Sequence, residues 1–495
     1  MNKVFLNSSY GIRNDKYCSF IYVVDDSFDV LLKKLPEAYE IPPLYGYILS
    51  YFREGDDPEK VICKIAEDSG MRKEAVSKFV AKVVNCKTAL EIKYEDQILA
   101  LPPCLLVDEA VRPHGKAKVF THKEFDPFQK FVRTRPSAPF TVTLMLTSRC
   151  QTDCIYCYAD RTRKVDFELA NVLALIDDCH QSGVLKLTLS GGDLFAYRDW
   201  KAVLEKMYAC EYISFISTKI PLPEADIAYL KEKGIREIQF SLDAADAENI
   251  NRIVKREARY IEEVKEMWDS CRKSGMQVNV RTVLTKYNAT EETLTSLYNL
   301  LSRHGVYSWN IVPAFFSSYR EGYEDYQMDD SAMQACKACI DKLAVGSDLK
   351  ISFRKLQKGE GIDAPYKTVD DFLRYNKGCL TTSHNLSINV SGEVTACEML
   401  YNRQKFHLGN ANRQTVRELW NSDLVKDFYD FRFASIPRNP ESPCYTCKEY
   451  ARCKVGNMKK VCLVDIVNVF GEDKWDYPDP RCPYAPPCDM NLLIK

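Results

Sequence analysis

The sequence predicts an α/β protein: a partial (β/α)6 barrel with an N-terminal winged-helix-like α+β domain and a C-terminal cysteine-rich domain. Three observations carry this expectation. Six strand patterns alternate with amphipathic helical patterns between residues 141 and about 330. Two short helices lie between strand-like runs ahead of them. Eight cysteines, Cys379, Cys397, Cys444, Cys447, Cys453, Cys462, Cys482 and Cys488, crowd the last quarter of the chain. The domain boundaries that follow are 1–105, a bridging linker 106–140, the barrel 141–330, a bridging region 331–375 and the cysteine-rich domain 376–495.

Taken in order, residues 1–105 open with the strand pattern "CSFIYVV" and end on the pair in "ALEIKYEDQILALP". Between them "DDPEKVICKIAEDSGMRKEAVSKFVAKVV" reads as two helices, with Asp57 as cap, Pro58 at the opening position and a break at Ser69-Gly70. A helix-turn-helix followed by a strand pair suggests DNA, but the charge opposes it. Residues 1–110 hold 14 lysines and arginines against 18 aspartates and glutamates, the wrong sign for a phosphate backbone. A peptide added as a strand to an open sheet edge suits the module better. Residues 106–140, charged and punctuated by proline, show no period and read as a linker.

In the barrel region "FTVTLMLT", "VLKLTLSGGD", "YISFIST", "IREIQFSLD", "MQVNVRTVLT" and "VYSWNIVPA" are the strands. In such folds chemistry sits at the C-terminal ends of strands. The triplet Cys150/Cys154/Cys157, Gly191-Gly192-Asp193, Ser217-Thr218 and Ser241-Leu242-Asp243 all fall there.

Composition sets the outer limits. The chain has 495 residues, 46% hydrophobic and 28% charged, with a formal net charge of −1, which argues against a general nucleic-acid or acidic-lipid binder. No apolar run approaches the roughly 18 residues a membrane span needs, and the N-terminus lacks a signal-peptide pattern. A cytoplasmic location is expected. Twenty cysteines and six histidines then point to metal or redox chemistry rather than a disulfide framework. Nine of them (Cys18, Cys63, Cys86, Cys104, Cys179, Cys210, Cys271, Cys336, Cys339) read as small buried hydrophobes, and the CxxC of Cys336 and Cys339 as ordinary helical core spacing.

The stretch "CQTDCIYC" asks what needs three thiols within eight residues. A structural zinc would need a distant fourth ligand. A [4Fe–4S] cube held by three thiolates keeps one iron open, which can chelate the amino and carboxylate groups of a small molecule. Cys-x3-Cys-x2-Cys after the first strand, with Tyr156 before the last cysteine, resembles the signature of radical S-adenosylmethionine (SAM) enzymes over residues 141–315. The resemblance implies that Cys150, Cys154 and Cys157 hold the cluster that cleaves SAM to a 5′-deoxyadenosyl radical. It also implies that Gly191 and Gly192 approach the methionine amino group. Asp193 stands where the family has Glu. Ser241 matches the ribose position, with Ser217 as a second candidate, and Arg252 matches the carboxylate position, where its fork suits the ligand.

The C-terminal cysteines resemble the SPASM extension, which binds two auxiliary [4Fe–4S] clusters. By that resemblance Cys379, Cys397 and Cys462 hold the first, and Cys444, Cys447, Cys453 and Cys482 the second. Cys488 is a spare or a fourth ligand for the first. A pair of zinc ribbons is the alternative. Asn457 stands where the usual pattern has a further cysteine. Ahead of such a body, the acidic N-terminal module resembles the element that grips the leader of a ribosomally made precursor peptide. The resemblance therefore implies a peptide maturase that forms a thioether or carbon–carbon cross-link. It would use three clusters, SAM and an external reductant such as flavodoxin or ferredoxin, with no nucleic-acid or membrane partner. Alternatives are a sulfatase-type maturase or other single-residue oxidase, a peptide epimerase, and a non-catalytic iron–sulfur carrier or redox regulator. No Tyr, Asp or Glu of the barrel stands out as a general base.

Overall fold

The computed structural model describes residues 3–24, 36–108, 116–160, 164–317, 319, 322–353, 356–358, 366–376, 379, 383–432, 437–456, 459–488 and 491–493. Asn457 and parts of both expected bridging segments lie outside these residues. The chain divides into two compact units. One comprises Met1–Thr141 with Ile176–Leu187 and Met207–Ile213, the other Val142–Leu175, Thr188–Lys206 and Ser214–Lys495.

In the first unit the two anticipated helices are Pro58–Ser69 and Lys73–Val83. Asp57 accepts from the Glu59 amide at 3.0 Å, worth about 1 kcal/mol, and Gly70 ends the helix at φ +72°. Val61, Ile62 and Ile65 of the first helix and Val76, Phe79, Val80 and Val83 of the second enter one core with strand residues such as Ile12, Ile21 and Ile41. The expected strand pair is the hairpin Leu90–Tyr94 with Gln97–Leu101. The remaining β structure is richer than the pattern suggests. Strands Ala38–Ile41, Ser19–Val23, Tyr10–Asn14 and Val119–Thr121 form one sheet in that order, the last pair parallel. Val4–Leu6 pairs with Leu106–Asp108. The expected linker 106–140 thus contributes two strands. Arg13 helps fix it: its wholly buried guanidinium donates to the Ala138 and Pro139 carbonyls at 3.0 and 3.2 Å and to that of Gly183, between the rings of Phe120 and Phe140.

The six expected strands are present at Thr141–Thr147, Lys186–Gly191, Ser217–Thr218, Glu237–Ser241, Gln277–Leu284 and Ser308–Pro313, all but Thr141, Lys186 and Leu187 within the second unit. The third is shorter than its sequence pattern. Hydrogen bonding divides them between two sheets. The last four run parallel and are joined by a further parallel strand, Lys350–Phe353. The first two continue into the C-terminal hairpin, in the order Lys186–Gly191, Thr141–Thr147, Asn385–Ile388, Glu393–Thr395, His407–Asn410. Between the sheets the Asp193 carboxylate takes the place of a ladder: it accepts from Thr218 Oγ1 at 2.8 Å and from the Lys219 amide at 2.9 Å.

The connecting helices follow their apolar stripes. Arg259–Lys273 buries Tyr260, Ile261, Val264, Met267, Trp268 and Cys271, the spacing of one helical face. Glu291–Arg303 opens on a Thr290 side-chain cap to the Thr293 amide at 3.2 Å. Cys336 and Cys339 are buried on Asp330–Ala344, and Cys18, Cys179, Cys210 and Cys271 are buried as well, while Cys63, Cys86 and Cys104 are half-buried. Among the described residues no helix is long and apolar enough to cross a membrane.

Candidate functional site

The cysteine triplet lies on the loop leaving Thr141–Thr147. The loop is moored to helix Ala247–Val254: Asp153 N donates to the Val254 carbonyl at 3.1 Å and Ile155 N to that of Ile253 at 3.0 Å. Thr152 Oγ1 stands 3.2 Å from Cys150 Sγ and 3.5 Å from Cys154 Sγ. Cys154 is buried, and desolvation pushes its thiol up to about 11 against the pull of Lys219. Iron binding would have to displace that proton.

Gly191 and Gly192 pack directly on the start of this loop. A Cβ at Gly192 would stand 1.8 Å from the Arg149 carbonyl oxygen, and one at Gly191, where φ is +134°, 2.2 Å from that of Thr147. The Gly192 and Asp193 amides donate to those carbonyls at 2.7 and 2.9 Å. The missing side chains therefore have a packing reason besides ligand approach. Asp193 is turned away into protein. Beyond its bonds to Thr218 and Lys219 it caps Phe195 N at 3.0 Å, and burial raises its carboxyl to about 6 against those hydrogen bonds.

Behind the loop Asp243 is fully buried. It accepts from Tyr156 Oη at 2.5 Å, Lys219 Nζ at 2.8 Å and Val283 N at 2.9 Å. Lys219 also reaches the Ser241 carbonyl at 3.3 Å. Register sets these strand ends side by side: Thr218 opposite Phe240, and Ser241 opposite Arg281. The structure so gathers Tyr156, Asp193 and Ser241 around Lys219, which sequence reasoning passed over. Its position after Ser217-Thr218 at a strand end was the available signal. Ser217 Oγ accepts a hydrogen bond from Gln239 Nε2 at 2.7 Å, on the sheet face that Gln239 shares with Ser241 of the same strand. Arg252 sits on the helix that moors the loop, yet its guanidinium pairs with Glu248 at 2.9 Å and lies over Tyr287.

A second group meets the same strand ends from the C-terminal region. Ser190 donates to the Glu398 carboxylate at 2.6 Å. Glu398 directly follows Cys397, and Ser190 directly precedes Gly191. Burial raises the carboxyl of Glu398 and the phenol of Tyr158, and Tyr158 senses Glu398, Cys157 and Cys397 together. The Asp160 amide donates to Tyr401 Oη. Only tertiary structure reveals Glu398.

Seven of the eight C-terminal cysteines, all but Cys488, fall into two groups. Cys397 senses the charges of Cys379 and Cys462. Cys444, Cys447, Cys453 and Cys482 line a single cavity, and burial raises the thiols of Cys444, Cys453 and Cys482, the last to about 12. Backbone bonds tie the groups together: Cys379 N to Lys459 O at 2.7 Å, Lys460 N to Cys453 O at 2.7 Å. Cys462 N and Arg481 both bond the buried Asp479 carboxylate. Seven thiols with no histidine among them suit iron–sulfur ligation.

The radical SAM superfamily matches residues 144–301, and the SPASM iron–sulfur cluster-binding domain matches residues 379–448. The chain thus carries a radical SAM domain followed by a SPASM domain, which imply a SAM-binding [4Fe–4S] cluster and auxiliary iron–sulfur clusters. Among its relatives is the PqqA peptide cyclase of Xanthomonas euvesicatoria pv. vesicatoria (strain 85-10), 22% identical over 293 residues, covering 57% of this chain and 74% of the relative. Another is the AdoMet-dependent heme synthase of Methanosarcina barkeri (strain Fusaro), 22% identical over 366 residues, 71% of this chain and 98% of the relative. Among solved structures, Streptococcus suis SuiB bound to precursor peptide SuiA aligns over 96% of this chain and 98% of its own, with a TM-score of 0.61 at 12% identity. That likeness is one of fold.

Proposed function

We propose that this chain is a radical SAM peptide maturase that installs a cross-link, thioether or carbon–carbon, in a precursor peptide gripped by its leader. The bond between Ser190 and Glu398 carries the reading. It holds the glycine turn of the SAM side against the cysteine loop of the auxiliary side, the arrangement needed when one centre starts a radical and another takes up an electron. The naming of one relative as a peptide cyclase supports the substrate class, as does a similar fold seen with a precursor peptide bound.

Cys150, Cys154 and Cys157 would hold a cluster that, when bound, would supply the electron splitting SAM into methionine and the 5′-deoxyadenosyl radical needed to take a hydrogen atom from the peptide. The chain's own residues hold the geometry. Tyr156, Lys219 and Asp243 brace the loop from behind. Gly191 and Gly192 offer backbone to the methionine end, Ser241 and Ser217 are the ribose candidates and Arg252 the carboxylate candidate. Asp193 locks the turn to strand Ser217–Thr218. Cys379, Cys397 and Cys462 hold one auxiliary cluster and Cys444, Cys447, Cys453 and Cys482 the other, three clusters in all. Residues 1–105 serve as the winged-helix-like leader-recognition domain, 141–330 as the partial barrel and 376–495 as the SPASM domain, in a cytoplasmic enzyme fed by flavodoxin or ferredoxin.

The test is anaerobic reconstitution with iron and sulfide, then SAM, reductant and a candidate precursor peptide. Wild type should yield 5′-deoxyadenosine and a peptide lighter by two hydrogens with a new cross-link by tandem mass spectrometry. The variant with Cys150, Cys154 and Cys157 all changed to Ala should yield neither. A peptide oxidised at one residue without a cross-link would instead favour a single-residue oxidase.

A further inference from the structure

We infer that Lys454 is a positioning residue that tunes the reduction potential of the auxiliary cluster held by Cys444, Cys447, Cys453 and Cys482, by placing a buried positive charge in the wall of its cavity. The inference rests on the ligand assignment proposed above.

Lysine is among the residues least often fully buried without a partner, yet Lys454 has 0% exposure. Its Nζ donates to the Asp476 and Tyr477 carbonyls at 2.7 and 2.6 Å and lies 4.8 Å from the Phe431 ring centroid and 5.7 Å from that of Tyr450. Two carbonyls and two ring faces are the surroundings of an ammonium. Lys454 lines the same cavity as the four thiols.

The neighbouring charges are largely matched with one another. Arg438 lies 3.8 Å from Asp476, Arg481 bonds both Asp479 and Asp465, and Arg452 pairs with Glu449. Lys454, by contrast, hydrogen-bonds to neutral carbonyls, with the Asp476 carboxylate within electrostatic range. Four thiolates in a buried wall make a strongly anionic site, and net charge and hydrogen bonding set an iron–sulfur potential. A buried cation there favours the reduced form and suits the site to accept an electron.

The test uses the full chain with Cys150, Cys154 and Cys157 changed to Ala, so that only the auxiliary sites fill. Iron and sulfide are counted, and a redox titration is followed by electron paramagnetic resonance. Cys444→Ala identifies the signal that belongs to this cavity. Lys454→Gln keeps a donor and removes the charge. It should lower that midpoint by the equivalent of at least a tenfold change in the reduction equilibrium, about 59 mV for one electron, and leave the other midpoint in place. Lys454→Arg should stay near the parent. An unmoved midpoint in Lys454→Gln with iron content intact overturns the proposal. Equal loss of this cluster from both variants also overturns it, and makes Lys454 a structural clip. Neither result touches the maturase reading, which stands or falls on deoxyadenosine and peptide mass.

Discussion

Lys219 and Asp243 form a buried ion pair at 2.8 Å directly behind the cysteine loop, with side-chain exposures of 12% and 0%. Removing one partner strands the other charge. Asp243→Asn should therefore cost about 3–5 kcal/mol in denaturant unfolding of the iron-free protein. Adding Lys219→Met should restore part of that loss. Simple additivity of the two single effects would show that the residues do not act as a pair.

Gly192→Ala should be far more damaging than its size suggests, because the added carbon would stand 1.8 Å from a backbone carbonyl. The turn has to move, and the cysteine loop with it. Reconstituted Gly192→Ala should lose the SAM-cleaving cluster, read as a fall in iron content, while the auxiliary clusters remain. Gly70→Ala is the control. It has open space within 4 Å at φ +72° and should cost only about 1–2 kcal/mol of left-handed strain.

Asp193 makes stability depend on pH with an unusual sign. Its folded carboxyl titrates near 6, raised by burial from an ordinary 3.8. Between those values the folded chain binds more proton than the unfolded one, so this group's contribution is full below about pH 4 and is lost as pH rises through 6. The loss amounts to about 3 kcal/mol. The stability of wild type minus that of Asp193→Asn, measured by urea unfolding from pH 4 to 7, should fall over that window. A flat difference would mean that Asp193 is not desolvated as described.

Arg13→Lys should loosen the first unit. A lysine offers one nitrogen where Arg13 spreads two over three buried carbonyls, and no plane to slot between Phe120 and Phe140, so at least one carbonyl should lose its partner, at about 1–3 kcal/mol. Limited proteolysis should then cut faster within residues 116–140, whose placement depends on those bonds.

How much of this was legible in the sequence follows from where the information lies. The strands and helices of residues 141–330 were readable because local period coincides with burial. Arg259–Lys273 repeats its apolar residues every three or four positions, and Asp57-Pro58 announces its helix in two letters. Strand Tyr10–Asn14 was not readable. "YGIRN" is buried throughout although it holds Arg and Asn, since Arg13 finds carbonyls and Asn14 finds Ser19, Ser50 and Thr121. Partners that distant leave no mark on local pattern. The same holds in the site. The cysteine triplet is visible in its spacing, and Gly191, Gly192 and Ser241 through the family resemblance, but the contacts of Lys219, Glu398 and Lys454 run to residues tens to hundreds of positions away.

The sheet that starts with Thr141–Thr147 and Lys186–Gly191 is continued by Asn385–Ile388, paired to a strand that precedes it by some 240 residues. During synthesis that edge must wait for most of the remaining chain to leave the ribosome. At a usual elongation rate of about 5–20 residues per second the wait lasts roughly ten seconds to a minute, with unpaired backbone beside the cysteine loop. A chain cut before residue 385 would keep the entire SAM-binding motif yet carry a permanently open strand, so the two iron–sulfur regions are not separable modules: the second closes the sheet on which the first is mounted.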